Sequence, residues 1–175
     1  MLRRKNTLPT STLALSLFFH LTATAVWIGG LLITLILVFP ELQRVLAEQP
    51  ALYRLLSRLR AKFYPISNLC LAVLIVTGLF QMTADPYYDG FLTFDNEWSR
   101  VMLLKHVLIV VMALLGVGLQ SFVAPALERI SLKLEKAKGD PAEWARLRRQ
   151  EMRLTVAITA LGVGVLACSA WAGAL

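Results

Sequence analysis

The stretch from Thr12 to Val38 reads TLALSLFFHLTATAVWIGGLLITLILV and contains no Asp, Glu, Lys or Arg. As a helix it exceeds the ~20 residues that cross the hydrocarbon of a bilayer. Three further apolar runs follow: Phe63 to Met82, Val101 to Val123 and Leu154 to Leu175. Their length and their lack of strict alternation exclude the strands of a membrane barrel. Lipid offers no hydrogen bonds to an open backbone, so four such runs predict a helix bundle. The expected fold is an all-α membrane protein, a four-transmembrane-helix up-down bundle. A single domain spans residues 1–175, with crossings at about 12–38, 63–82, 101–123 and 154–175.

Composition leads to the same place. Of 175 residues 57% are hydrophobic and 17% charged, too apolar a mixture for a soluble single-core domain. Arg3, Arg4 and Lys5 precede the first run as they would in a signal peptide. However, the run outlasts the ~7–15 residues of a signal core, and no small-x-small site closes it before Pro40, so it reads as a span. Cys70 and Cys168, the only cysteines, lie inside apolar runs and read as small packing residues, not as a disulfide.

The segments between the runs set the expected orientation. The first and third loops together carry thirteen Lys or Arg, and the N-terminus plus the second loop carry four. Basic residues favour the cytoplasm, so both termini are expected outside a bacterial inner membrane, with Arg3, Arg4 and Lys5 the exception. In the third loop Leu127, Ile130, Leu134 and Ala137 recur at helical spacing, which extends the third helix into the cytoplasm. Gly139-Asp140-Pro141 then reads as a stop and a start. Gly139 ends one helix, Asp140 caps the next, Pro141 takes its first turn and Glu143 completes a capping box. Trp144, Arg146, Arg148, Arg149 and Arg153 would ride at the anionic inner surface. The net charge of +7 is thereby assigned to topology and lipid, with no nucleic-acid partner. Trp98, Trp171, Tyr87 and Tyr88 fall at the expected outer interface. Tyr64, Pro65 and Asn68 read as the start of the second span.

A few residues do not belong in hydrocarbon. His20 lies in the first span, and Lys105 and His106 lie in the third; the chain has no other histidine. Counted from the outer ends, His20 is roughly 12 Å and His106 roughly 9 Å deep. Ser16, Ala23, Thr24, Trp27 and Thr34 share the face of His20. Two imidazoles at one depth on two helices suit the axial positions of a b-type haem. The alternative leaves each His as a hydrogen-bonded core residue, held by Ser16 or Thr24, and lets Lys105 snorkel. A copper reading uses the same histidines with Met82, Met102 and Cys168 as soft donors. Lys105 and His106 point about 100° apart, so one of them faces the site.

The run from His20 through Trp27 to Gly29-Gly30, in the order His-x6-Trp-x-Gly-Gly, and the later Arg100-Val-Met-Leu-Leu-Lys105 resemble the copper resistance D (CopD) family. Phe63 to Phe80, with Thr77-Gly78, and Arg149 to Leu166 look like its second and fourth helices. The chain is also similar to the related HemJ type of protoporphyrinogen oxidase, whose early His, nearby Trp and later Trp and Lys match His20, Trp27, Trp98 and Lys105. His106 beside the Lys and the long third loop depart from that type. The resemblance implies a plasma-membrane protein that handles haem b or, by the CopD name, copper. Taken together, the intramembrane polar residues and the resemblance give His20, His106, Lys105, Trp27 and Thr24 as the expected cofactor-binding positions, with His20 and His106 as the metal ligands. Its partners would be the bilayer and a quinol or extracytoplasmic electron partner, and its chemistry that of an oxidoreductase. Copper delivery is the second reading, and a subunit of a larger respiratory complex or a homo-oligomer the third. Gly116, Gly162 and Gly164 would serve the last.

Overall fold

The computed structural model describes residues 9–41, 53–88, 90 and 96–175. The N-terminal Arg3, Arg4 and Lys5, Arg44 and Glu48 of the first loop, and Asp89 and Asp95 of the second lie outside the described residues. The helices are α1 (Thr10–Ile33), α2 (Tyr53–Ala84), α3 (Glu97–Gly118), α4 (Ala124–Glu135) and α5 (Pro141–Ala172). A π-helical turn, Thr34–Val38, prolongs α1, and another, Leu119–Val123, joins α3 to α4 without a break. Four continuous helices are thus long and apolar enough to cross a membrane, and the described residues include no strand.

The helix ends follow local chemistry. Asn96 accepts from the Ser99 amide at 2.7 Å to start α3, and Glu97 places a negative charge in its first turn. Asp140 accepts from the Ala142 amide at 2.9 Å, with Pro141 in the first turn of α5. Helix α2 is described from Tyr53, before its apolar run, because the charged turns preceding Phe63 are helical as well. Pro65 therefore lies inside the helix, where it removes one backbone donor, and does not start it. Helix α4 closes differently from expectation. Ala137 has φ 53°, the Lys138 amide bonds the Lys133 carbonyl at 2.9 Å and the Ala137 amide bonds Leu134 at 3.0 Å. That is a Schellman closure with alanine in the left-handed position. Gly139 serves a different need: a Cβ there would come 2.7 Å from the Leu134 nitrogen.

Helix α1 packs along α2 and α3 along α5, while α1 also touches α5 and joins the two pairs. Between apolar helices in lipid the contacts come from small residues and interhelical hydrogen bonds. A Cβ on Gly30 would run into the Phe63 ring, and one on Gly162 would meet the Ile28 Cδ1 at 2.9 Å. The central cluster holds Ala23, Trp27, Cys70, Met112 and Ile158. A second cluster, around Val123 and Leu127, seats α4 on α5 and takes in Trp144 and Leu154. Phe18, Leu69, Val76, Leu114 and Phe122 are exposed, as a lipid-facing surface requires.

The arginines of α5 divide. Arg149 and Arg153 are exposed as expected, but Arg148 turns inward. It lies over the Phe39 and Trp144 rings and bonds Glu151 at 3.3 Å. Arg60 of α2 forms an ion pair with the same carboxylate. Glu151, 1% exposed, is thus shared by guanidiniums from two helices. The spacing Trp144, Arg148, Glu151, Thr155 places these groups on one face of α5, which is why they escape the lipid surface.

Candidate cofactor cavity

The α1–α2 seam is a ladder of polar pairs. Ser16 accepts from Gln81 at 3.3 Å, the His20 Nδ1 meets the Thr77 hydroxyl at 2.8 Å, and Trp27 donates to Ser67 at 2.7 Å. From the first rung to the second, α1 advances four residues and α2 retreats four, the register of an antiparallel pair with one turn per step. The expected polar face of α1 is therefore the face that meets α2. Thr24 and Thr34 spend their hydroxyl protons on the carbonyls of His20 and Gly30, at 2.8 and 2.7 Å.

The second rung fixes a chemical state. Thr77 Oγ1 lies 2.6 Å from the Val73 carbonyl, and a carbonyl only accepts, so the hydroxyl proton points there. Toward His20 the hydroxyl oxygen is then an acceptor, and Nδ1 must donate. In the neutral imidazole the lone pair is left on Nε2. The ring also lies against α2, since a Cβ on Gly78 would sit 3.4 Å from the His20 Cε1.

His20 opens onto a cavity of about 140 Å³ among α1, α2, α3 and α5. Thr24 and Trp27 line it from α1, Lys105 and Met112 from α3, and Ser169 from α5; the rest of the wall is apolar. Helices α2 and α3 are not among the closely packed pairs, so the cavity lacks a packed wall between them. Of the adjacent pair, Lys105 lines the cavity with His20, Thr24 and Trp27, whereas His106 is not among the lining residues. The His106 Nδ1 donates back to the Met102 carbonyl at 2.6 Å on its own helix. Among the described residues no hydrogen bond or ion pair holds the Lys105 ammonium. Trp98 is buried at 4% exposure.

Sequence reasoning points to His20, Thr24, Trp27 and Lys105, and helical spacing sets Met112 near the Lys105 face, but it does not point to Thr77 or Ser169 as their neighbours. Thr77 carries a signal in its Thr-Gly step; Ser169 looks like ordinary packing until α5 is placed. A more polar cavity of about 190 Å³, lined by Arg60, Tyr64, Gln120 and Glu128, lies at the opposite end of α2. Near it Asn68 and Gln120 exchange amide hydrogen bonds at 3.4 and 3.3 Å. Among the described residues no three His, Cys, Asp or Glu side chains gather to form a metal centre.

The family model for copper resistance protein D matches residues 57–172, most of the chain. The protein belongs to the CopD family. The matched stretch carries most of α2 and all of α3 to α5, and so Thr77, Lys105, His106 and Met112, while His20 lies on α1, outside it. No curated protein and no solved structure matches this CopD-family chain. Membership assigns it to the multi-pass membrane proteins named for copper resistance, and its four apolar helices imply a lipid bilayer as its surroundings.

Proposed function

We propose that the cavity binds a b-type haem and that the protein is a small membrane redox protein. The observation that carries this reading is that one largely apolar cavity is lined both by His20, whose lone pair is left on Nε2, and by Lys105, which no hydrogen bond or ion pair holds among the described residues. The donor set fits the group. The His20 imidazole, with its other nitrogen already bonded, would hold the haem iron in the tautomer that ligation requires. A haem is far larger than the cavity of about 140 Å³, so binding would require α2 and α3, which are not closely packed together, to part; the apolar wall and Trp27 would then flank the macrocycle and the Lys105 ammonium would pair with a propionate. A bound haem would supply one-electron exchange. The residues of the chain would orient it: Thr77 holds the imidazole, the apolar side chains of α2 and α5 would line it, and Thr24 and Ser169, whose hydroxyl protons go to the His20 and Val165 carbonyls, could only accept.

Lys105 also argues against a bare cation as the preferred occupant, because a positive charge beside it is repelled in a low-dielectric site. The related HemJ type, which the chain resembles at His20, Trp27, Trp98 and Lys105, makes a small hydrophobic reductant such as a quinol or a reduced tetrapyrrole the natural electron source. The plasma membrane of a bacterium, with both termini extracytoplasmic, is the setting we propose. The test is purification followed by titration with haemin. A Soret band is expected, abolished by His20→Ala, weakened or shifted by Lys105→Met and retained by His106→Ala. Its absence in the wild type under saturating haemin sinks the reading.

Copper passage is the second reading, favoured by the family name and by the buried Met112 thioether in the same cavity as His20. A soft sulfur and a borderline nitrogen are suitable donors for Cu(I) carried as cargo. Cellular copper content that changes on deletion and is restored by wild type but not by Met112→Leu would favour it.

A further inference from the structure

We infer that Thr77 is a positioning residue: its hydroxyl passes the hydrogen bond of His20 Nδ1–H on to the Val73 carbonyl, so that Nε2 presents its lone pair to the cavity. The geometry is a two-step relay with one proton per step. Nδ1–H donates to Thr77 Oγ1 across 2.8 Å, and the Thr77 O–H donates to Val73 across 2.6 Å. The alternative carbonyl, that of Leu74, is 3.5 Å away and a poorer acceptor. Reversing the relay would require the Val73 oxygen to donate, which it cannot do. The helix geometry of α2 thus selects the tautomer of a residue on α1.

No other described side chain is bonded to the His20 ring, so the selection depends on one hydroxyl. Serine keeps the oxygen at this position; valine keeps the shape and removes it. A ligand held through Nε2 depends on this selection, and that consequence, unlike the tautomer itself, rests on the function proposed above. Loss of an outer hydrogen-bond partner of a ligating His lowers affinity by about 10- to 100-fold.

The experiment uses the full chain in detergent, without haem, labelled with 15N-histidine and carrying His106→Gln so that one imidazole remains. Wild-type Thr77 is expected to give a protonated Nδ1 and an unprotonated Nε2, Thr77→Ser the same pattern, and Thr77→Val a mixture of tautomers. An unprotonated Nδ1 in the presence of Thr77, or an unaltered pattern in Thr77→Val, overturns the inference. Haemin titration of the same variants then separates the two ideas. A tenfold or greater loss of affinity in Thr77→Val, rescued by serine, supports both. A changed tautomer with unchanged haemin affinity supports the role of Thr77 and rejects His20 as the axial donor.

Discussion

The indole of Trp27 on α1 donates to the hydroxyl of Ser67 on α2 at 2.7 Å, while its ring forms part of the cavity wall that also holds His20. One side chain therefore both holds the helix pair and shapes the site. Trp27→Phe removes the donor and part of the ring but keeps an aromatic plug. A loss of about 1–2 kcal/mol is expected from the hydrogen bond and the reduced packing. Ser67→Ala leaves the buried indole donor unsatisfied and should still lose less, because it removes almost no packing volume. Unfolding of the detergent-solubilised variants checks the order; a larger loss in Ser67→Ala would contradict it.

The carboxylate of Glu151 is shared by Arg60 and Arg148 and is almost wholly buried. Glu151→Ala takes the shared anion away from both guanidiniums. Breaking such a buried arrangement is expected to cost about 3–5 kcal/mol. The readout is the yield of monodisperse protein and its unfolding midpoint. Glu151→Gln, which keeps the hydrogen-bonding shape without the charge, should fall between wild type and alanine.

Gly30 and Phe63 touch where α1 crosses α2, and a Cβ on the glycine has no room unless the ring moves. Gly30→Ala is expected to destabilise by about 1–3 kcal/mol through overpacking. Phe63→Leu should partly rescue it, so that the two changes together cost less than their sum. An additive double mutant would show that the ring is not what excludes the methyl group.

Ala137 occupies the left-handed position of the α4 closure with φ 53°, whereas Gly139 is held close to Leu134. Ala137→Gly is expected to stabilise by about 0.5–1 kcal/mol and Gly139→Ala to destabilise. Opposite signs for two neighbouring Gly/Ala exchanges, read as shifts in unfolding midpoint, are a sharp check of the closure.

The proposed orientation expects the second loop outside and the α4–α5 turn inside. Single cysteines in place of Asp89 and of Lys136, in a background with Cys70 and Cys168 replaced by alanine, can be labelled in intact cells with an impermeant thiol reagent. Labelling is expected at position 89 alone. Labelling at position 136 alone would invert the bundle and move the His20 cavity to the cytoplasmic leaflet.

The polar face of α1 is legible in the sequence alone. Ser16, His20, Ala23 and Trp27 recur at helical spacing, and that face does meet another helix. The start of α5 is equally legible, because Asp140 and Pro141 act within one turn. The end of α4 is not: in place of the expected Gly139 the closure uses Ala137, since backbone hydrogen bonds to Lys133 and Leu134 outweigh the preference of a single residue. Arg148 looks like its neighbours Arg146 and Arg149 in sequence, and only its phase on α5 relative to Arg60 separates it from them.

The sequence by itself determined that this chain lives in lipid and crosses it four times, because runs of twenty or more largely apolar residues, with Lys105 their one charge, have one stable environment and one backbone solution there. It also determined which residues are out of place in that environment: His20, Lys105 and His106. Which of them share a cavity was decided by the tertiary structure alone. Adjacent residues on a helix point about 100° apart, so the rotation of α3 against α5 sets Lys105 toward His20 and leaves His106 bonded to its own backbone. The tautomer of His20 was likewise decided across the helix pair, by a Thr77 hydroxyl whose own proton is committed to α2.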